Sequence, residues 1–239
     1  MPSYFDKTVA FVRARLASAG LFGLYFTIGT IVLVGAVWIF GGISEDLITG
    51  DPLVIVDAFI SDWLRAHVDS GFTRGMQMVS ALGATFVIGI LSALIVCVLL
   101  WRRLWDALLG LVLAVSGGIL LNILLKHLFG RARPGWADPL MALTDPGFPS
   151  GHTMMATILY GYVAVFLMSR IAWWWWRLVI ATVMIVLVLA IALSRMYLGA
   201  HYLSDVMGAM AAGTAWLALC LTAVEAWRRH RMALSHSPA

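Results

Sequence analysis

Six long apolar stretches run through the chain, at residues 21–40, 81–101, 107–125, 153–168, 178–193 and 203–226, with short polar stretches between them. A helix needs roughly 20 apolar residues to cross a hydrocarbon core, where no water satisfies open backbone groups. Each stretch therefore predicts a transmembrane helix, 153–168 being on the short side. The first follows Lys7, Arg13 and Arg15, as a secretory leader would. It is longer than a leader's apolar core and no small-x-small site follows it cleanly, so it reads as an uncleaved first helix. The segment 51–68, DPLVIVDAFISDWLRAHV, is too polar to span. In it Val56, Phe59, Ile60 and Trp63 recur at helical spacing, with Asp62 and Arg65 off that stripe. This predicts a helix lying in the outer interface, either packed on the bundle or guiding lipids toward it. The expected fold is all-α: a polytopic bundle of six transmembrane helices with one interfacial amphipathic helix on its outer face, forming a single membrane-embedded domain over residues 1–239.

Composition supports this reading. The chain is 62% hydrophobic and 12% charged, about half the charge of a water-soluble domain. The net charge of +4 is scattered and lacks the basic stripe that nucleic acid would need. Its distribution instead reports topology. The N-terminus, the 102–103 and 170–177 connections and the C-terminal tail carry Lys7, Arg13, Arg15, Arg102, Arg103, Arg170, Arg177, Arg228, Arg229 and Arg231 against Asp6, Asp106 and Glu225. The alternate connections, 44–78, 126–149 and 195–202, carry Glu45, Asp46, Asp51, Asp57, Asp62, Asp69, Asp138 and Asp145 against six basic residues. The positive-inside rule then puts both termini in the cytoplasm. Trp173–Trp176, in the 170–177 turn, with Trp101, Trp105 and Trp227, reads as an interfacial belt on that side. Cys97 and Cys220 lie inside apolar runs and have no metal-ligand spacing.

The remaining polar residues, Lys126, Arg131, Arg133, His152, Arg195, His201 and Asp205, all fall at predicted helix ends on the outer side. Charge beside a membrane segment is costly and usually functional, although one flanking cation is often only an anchor. In LKHLFGRARP, Gly130 and Pro134 predict a helix break between Lys126 and Arg133, and two cations on one wall suit a phosphate's oxygens. In FPSGHT, Ser150 is an N-cap, Gly151 lets a ligand approach the backbone, and the first-turn N–H groups form an anion site. His152 lies within reach of such an anion. In SRMYLGAHYLSD, Gly199 marks a turn, and His201 and Asp205 begin the last helix at i, i+4 spacing. Such a pair is an oriented nucleophile or base, a structural bond, or half of a metal site. The metal reading is the weakest, because no further ligand cluster accompanies the pair.

These three segments resemble the signature motifs of the type-2 phosphatidic acid phosphatase superfamily, K-x6-RP, PSGH and SR-x5-H-x3-D. Lys126, Arg133 and Pro134 fill the first, Pro149, Ser150, Gly151 and His152 the second, and Ser194, Arg195, His201 and Asp205 the third. The matched segments span residues 126–205 with every internal spacing kept. The resemblance implies an integral membrane phosphatase acting on a lipid phosphate or pyrophosphate, of the phosphatidylglycerophosphate or undecaprenyl pyrophosphate class, at the periplasmic face of a bacterial inner membrane. It implies His201 as the nucleophile that becomes phosphohistidine, Asp205 as its partner, and His152 as the acid that then activates water. Lys126, Arg133, Ser150, Gly151 and Arg195 would hold the phosphate, with no metal and no cofactor. The implied partners are the lipid substrate and the bilayer, with no nucleic acid and no protein partner. Arg131 and His127 fall outside the matched positions, Arg131 being a candidate substrate contact.

Four other functions fit parts of the pattern. Vanadium haloperoxidases resemble the same site but are soluble, which six spans disfavour. A transporter or flippase would use the cations only to bind. A phosphotransferase would pass the phosphate to another lipid or glycan, and a lipid A phosphatase would differ only in substrate. Gly117, Gly118, Gly208 and Gly213 suit close helix packing within one bundle or between chains, so the oligomeric state is not legible.

Overall fold

A computed structural model describes residues 20–50, 52–136 and 145–235 of the chain. Asp6, Lys7, Arg13, Arg15, Asp51 and residues 137–144, with Asp138, lie outside the described residues. Eight helices are described, with no strand among the described residues. They are α1 (Gly20–Thr49), α2 (Pro52–Ala66), α3 (Ser70–Ala81), α4 (Thr85–Trp101), α5 (Trp105–Phe129), α6 (Gly151–Arg170), α7 (Trp174–Tyr197) and α8 (Leu203–Ser235). Six segments are long and apolar enough to cross a membrane: Phe26–Thr49, Ser70–Trp101, Trp105–Phe129, Gly151–Arg170, Trp174–Tyr197 and Leu203–Met232. The second of these joins α3 and α4 through a short turn. The protein is thus an integral membrane, all-α bundle, as expected.

The helices outrun the apolar stretches at several ends. α1 continues through Ser44, Glu45 and Asp46, and α8 continues through Arg228 and Arg229. Lipid limits where polar residues can sit; it does not stop a helix whose backbone bonds are already made. The tryptophan run also differs from the expected turn. Trp173 is the N-cap of α7 and Trp174–Trp176 form its first turn, all four exposed.

α6 and α8 form the centre: 56% and 50% of their spans are buried, against 11–28% for the other four. Close approach depends on small residues. A methyl at Gly117 would overlap Trp216, at Gly118 it would overlap Ile158, at Gly208 Phe148, and at Gly213 it would press on Thr157 and the Met154 carbonyl. All four glycines therefore pack within this chain. Trp216 completes the α5–α8 seam by donating from Nε1 to the Ala114 carbonyl (3.1 Å).

The interfacial helix packs with its polar side inward. Asp57, Ser61 and Leu64 are its buried residues, whereas Val56, Phe59 and Trp63 of the apolar stripe are exposed and Ile60 is half-buried. In water the stripe would have turned inward. Beside a bilayer the apolar side chains have lipid as a second apolar medium, and the interior is left for groups that need polar partners. α2 touches α1, α7 and α8, so Asp57 is delivered to the end of the bundle where the histidines lie.

Candidate active site

Alternating direction brings the motifs together. α5 and α7 end, and α6 and α8 begin, at one end of the bundle, so the four chain segments carrying the motifs share that end. Each arrives by ordinary helix-end chemistry. α5 stops at Gly130, whose left-handed φ of 55° closes the helix with its N–H on the Lys126 carbonyl. Lys126 stays in the last turn, and Arg133 lies beyond the break, as the glycine and proline predicted. α6 opens at Ser150, which caps Thr153 N–H (3.5 Å) and whose own N–H donates to the Asp205 carbonyl (3.1 Å), tying the starts of α6 and α8. α7 reaches two residues past Arg195, to Tyr197, and Gly199 makes the turn at φ 67°.

His201 differs from its expected setting. It precedes α8, which begins at Leu203, and is buried. Its Nε2 lies 3.0 Å from Arg133 Nη1. A guanidinium can only donate, so Nε2 accepts and carries the lone pair, leaving the ring proton to Nδ1. Nδ1 lies 3.5 Å from Asp205 Oδ2, at ion-pair range but without a well-formed hydrogen bond among the described residues. Burial, reinforced by Arg133, Arg195 and Lys126, pushes His201 well below the usual histidine range, against the Gly147 backbone. The ring is therefore neutral at physiological pH, with Nε2 turned toward the cations.

Those cations differ in what holds them. Arg195 is 4% exposed and donates from Nη1 to Ser80 Oγ (2.9 Å), while its Nε has no partner among the described residues. Ser80, at the end of α3, is a residue that motif reasoning missed. Arg133 also donates to the Ala200 carbonyl (2.8 Å). Lys126 and Arg133 both pair with the half-exposed Asp145 carboxylate, Arg133 at 2.9 Å. Although partial burial opposes it, the Lys126 bond and the two positive charges hold the Asp145 carboxyl below its ordinary range.

His152 sits in the first turn of α6, within electrostatic range of Arg195, His201, Arg133 and Lys126. Gly83 supports it from behind, since a methyl there would meet the His152 carbonyl at 3.1 Å and its Cβ at 3.3 Å. Ser150 is fully buried with its hydroxyl on Thr153 Oγ1 (3.1 Å). Gly151 backs onto Asn122, whose Oδ1 would be 3.3 Å from an added methyl. The Gly151 and His152 N–H groups occupy first-turn positions that have no acceptor within the helix. His127 is exposed on the last turn of α5. Among the described residues no group of three or more His, Cys, Asp or Glu could hold a metal ion.

The assembly is a neutral imidazole nitrogen in contact with Arg133, with Arg195 and Lys126 within electrostatic range and a helix N-terminus and a second imidazole nearby. That is a site for an anion with several oxygens and for attack on its central atom. Asp145 already satisfies two of the cations, so an incoming phosphate must compete with it. Asp145→Asn is therefore expected to lower the inhibition constant of inorganic phosphate about three- to ten-fold, the scale of roughly 1 kcal/mol for one partly exposed ion pair. Phosphate inhibition of hydrolysis reads this directly, and weaker inhibition would show that Asp145 instead orients Lys126 and Arg133.

Comparison with known proteins bears on the family and the fold. Residues 103–229 match the PAP2 superfamily. Phosphatidylglycerophosphatase B of Bacillus subtilis (strain 168) is 35% identical over 143 residues, covering 58% of this chain and 68% of that protein. Among solved structures, the transmembrane PAP2-type phosphatidylglycerolphosphate phosphatase from Bacillus subtilis superposes with a TM-score of 0.68 at 25% identity, covering 84% of this chain and 96% of the other. Aquifex aeolicus LpxE shares the fold, with a TM-score of 0.56 at 21% identity over 70% of this chain and 94% of its own.

Proposed function

This chain belongs to the PAP2 superfamily, and on that premise we propose that it hydrolyses a membrane lipid phosphate or pyrophosphate, of the phosphatidylglycerophosphate or undecaprenyl pyrophosphate class, through a phosphohistidine. His201 Nε2 attacks phosphorus and the bond to the lipid oxygen breaks. His152, protonated once the substrate's phosphate offsets the surrounding cations, gives its proton to that leaving oxygen. Water then attacks the phosphohistidine while His152 takes its proton, the P–N bond breaks, and phosphate leaves with His201 restored. Lys126, Arg133 and Arg195, with the first-turn N–H groups around Gly151, bear the phosphoryl charge, and Ser150 holds that turn in place. Asp205 stabilises the cationic ring that attack creates. Positioned charge of this kind supplies most of what phosphoryl transfer requires.

The observation that carries the proposal is the 3.0 Å contact of Arg133 Nη1 with His201 Nε2. It leaves the lone pair on the nitrogen facing the cations and sends the ring proton toward Asp205. Loop charge supports a periplasmic site. Arg102, Arg103 and Arg170 lie at or beyond the opposite helix ends, Arg177 in the first turn of α7 and Arg229 in the last two turns of α8.

The proposed chemistry draws on side chains and backbone alone. Purified protein is therefore expected to release inorganic phosphate from phosphatidylglycerophosphate or undecaprenyl pyrophosphate in micelles with EDTA present. Phosphatidic acid and lipid A complete the panel and rank the substrates. Loss of release on adding EDTA, with recovery on a divalent cation, would contradict the metal-independent reading.

A further inference from the structure

Arg131, two residues short of Arg133, points the other way. Its Nη1 donates to Asp205 Oδ1 at 2.6 Å and to Ser204 Oγ at 2.5 Å, and its Nη2 donates to Asp57 Oδ2 at 2.7 Å. The guanidinium also lies over the Tyr202 ring, 4.6 Å from its centre. Asp57 comes from α2, outside the motif helices. It accepts from the Ser204 N–H on Oδ1 (2.9 Å) and from Ser204 Oγ on Oδ2 (2.5 Å), capping α8 from another helix. Asp57 is 1% and Asp205 0% exposed. Asp205 Oδ2 accepts from the Tyr202 N–H at 2.8 Å and faces His201 Nδ1.

We infer that Arg131 and Asp57 are positioning residues that orient the Asp205 carboxylate behind His201, and that Arg131 is not a substrate ligand. The groups run in series: Arg133, His201, Asp205, Arg131, Asp57. Arg133 meets the His201 nitrogen that faces phosphate, whereas Arg131 reaches His201 only through Asp205, on the opposite side of the ring. Both terminal nitrogens of Arg131 are already committed to carboxylates.

Two nearly fully buried carboxylates without a cation between them would be a heavy electrostatic cost, and Arg131 is the group that binds both. Burial works against its charge, yet the Asp205 and Asp57 carboxylates outweigh that and raise its pKa above the ordinary arginine value. Neither Asp205 oxygen makes a well-formed bond to His201, so the direction of the carboxylate is set by Arg131 and Tyr202. Asp57 sets Arg131 in turn and also fixes the first turn of α8, which carries Asp205. A substitution in the outer helix should therefore act on the chemical step without touching substrate.

The inference rests on the proposed role of His201, and its test separates the two. Full-length Asp57→Asn, Arg131→Lys, Arg131→Gln and the Asp57→Asn/Arg131→Gln double variant would be compared on a micellar lipid phosphate, with the thermal midpoint measured for each. Arg131→Gln is expected to lower kcat about 100-fold and Asp57→Asn about 10-fold, the range for groups that orient a catalytic partner. KM and the inhibition constant of inorganic phosphate should stay within two-fold of the parent. Arg131→Lys should recover part of kcat, since one ammonium can pair with one carboxylate but not bridge two. The double variant should be slower than Arg131→Gln by much less than the roughly ten-fold that Asp57→Asn costs alone, because Asp57 acts chiefly through Arg131 and only in part through Ser204. A rise in KM and in the phosphate inhibition constant with kcat preserved would make Arg131 a substrate ligand and overturn the inference. Full kcat in Asp57→Asn, or independent multiplication of the two losses, would also overturn it. Histidine-selective 15N spectra give a second readout that needs no turnover. The His201 proton is expected on Nδ1 in the parent, with its resonance displaced in Arg131→Gln and Asp57→Asn. An unchanged spectrum would sink the relay even if the parent hydrolysed nothing, a result that would itself count against the proposed function alone.

Discussion

His201→Ala is expected to abolish phosphate release, by on the order of 10⁴-fold or more, with the protein still folded in detergent. The size follows from the role: removing a nucleophile removes the reaction path, and what survives is only the rate that binding and electrostatics lend to water. At 1.36 kcal/mol per decade this is at least about 5 kcal/mol of lost transition-state stabilisation. His201 is buried, but its contacts are with the site: Arg133 at 3.0 Å and Asp205 at 3.5 Å. Its loss should therefore shift phosphate binding only modestly. Activity within ten-fold of the parent would remove the phosphohistidine from the account.

His152→Ala should show a different defect, one that depends on the leaving group. With a lipid alkoxide leaving, loss of the acid is expected to cost about 10²–10⁴-fold in kcat. With p-nitrophenyl phosphate, whose phenolate leaves without a proton, the first step should fall less than about ten-fold. The second step still lacks its base, so nitrophenolate should appear as a burst of about one per protein followed by a slow phase. Equal loss on both substrates, with no burst, would assign His152 to binding phosphate. The pairing with His201→Ala matters, because that variant should be dead on both substrates.

Much of the fold could be read from the chain because hydrocarbon permits few solutions. A run of about 20 apolar residues has to be a helix, and alternation of helix direction then puts the ends carrying Lys126, His152, Arg195 and His201 on one side. Helix ends were less legible. Apolarity reports where lipid ends, and α1 and α8 continue beyond it through charged residues. The orientation of α2 was not legible at all. Its apolar stripe is plain in the sequence, but whether a stripe faces core or lipid depends on what surrounds the helix, and Asp57 with Ser61 takes the buried face.

The site divides along the same line. Residues spaced within one motif could be read, because caps and breaks are local: Ser150 opens α6 and Gly130 closes α5. Partners supplied from distant segments could not. Ser80 reaches Arg195 across 115 positions, and Asp57 reaches Arg131 across 74. The one local hint was Asp57 at i, i+4 and i, i+7 from Ser61 and Leu64, a second stripe with a carboxylate in it. The i, i+4 spacing of His201 and Asp205 brought the two side chains close, but not by the helical route expected. His201 stands before α8, and Asp205 is held chiefly by Arg131 and the Tyr202 N–H.

The most direct measurement uses ³²P-labelled p-nitrophenyl phosphate with His152→Ala, whose spared first step and slow second step should let the covalent intermediate accumulate. The protein would be quenched in alkali, where a phosphoramidate survives, then digested, and the labelled peptide identified. About one phosphate per protein is expected, on the peptide containing His201, and none in the His152→Ala/His201→Ala double variant. Label on any other residue, or no label while nitrophenolate is still being released, would contradict a phosphohistidine at His201.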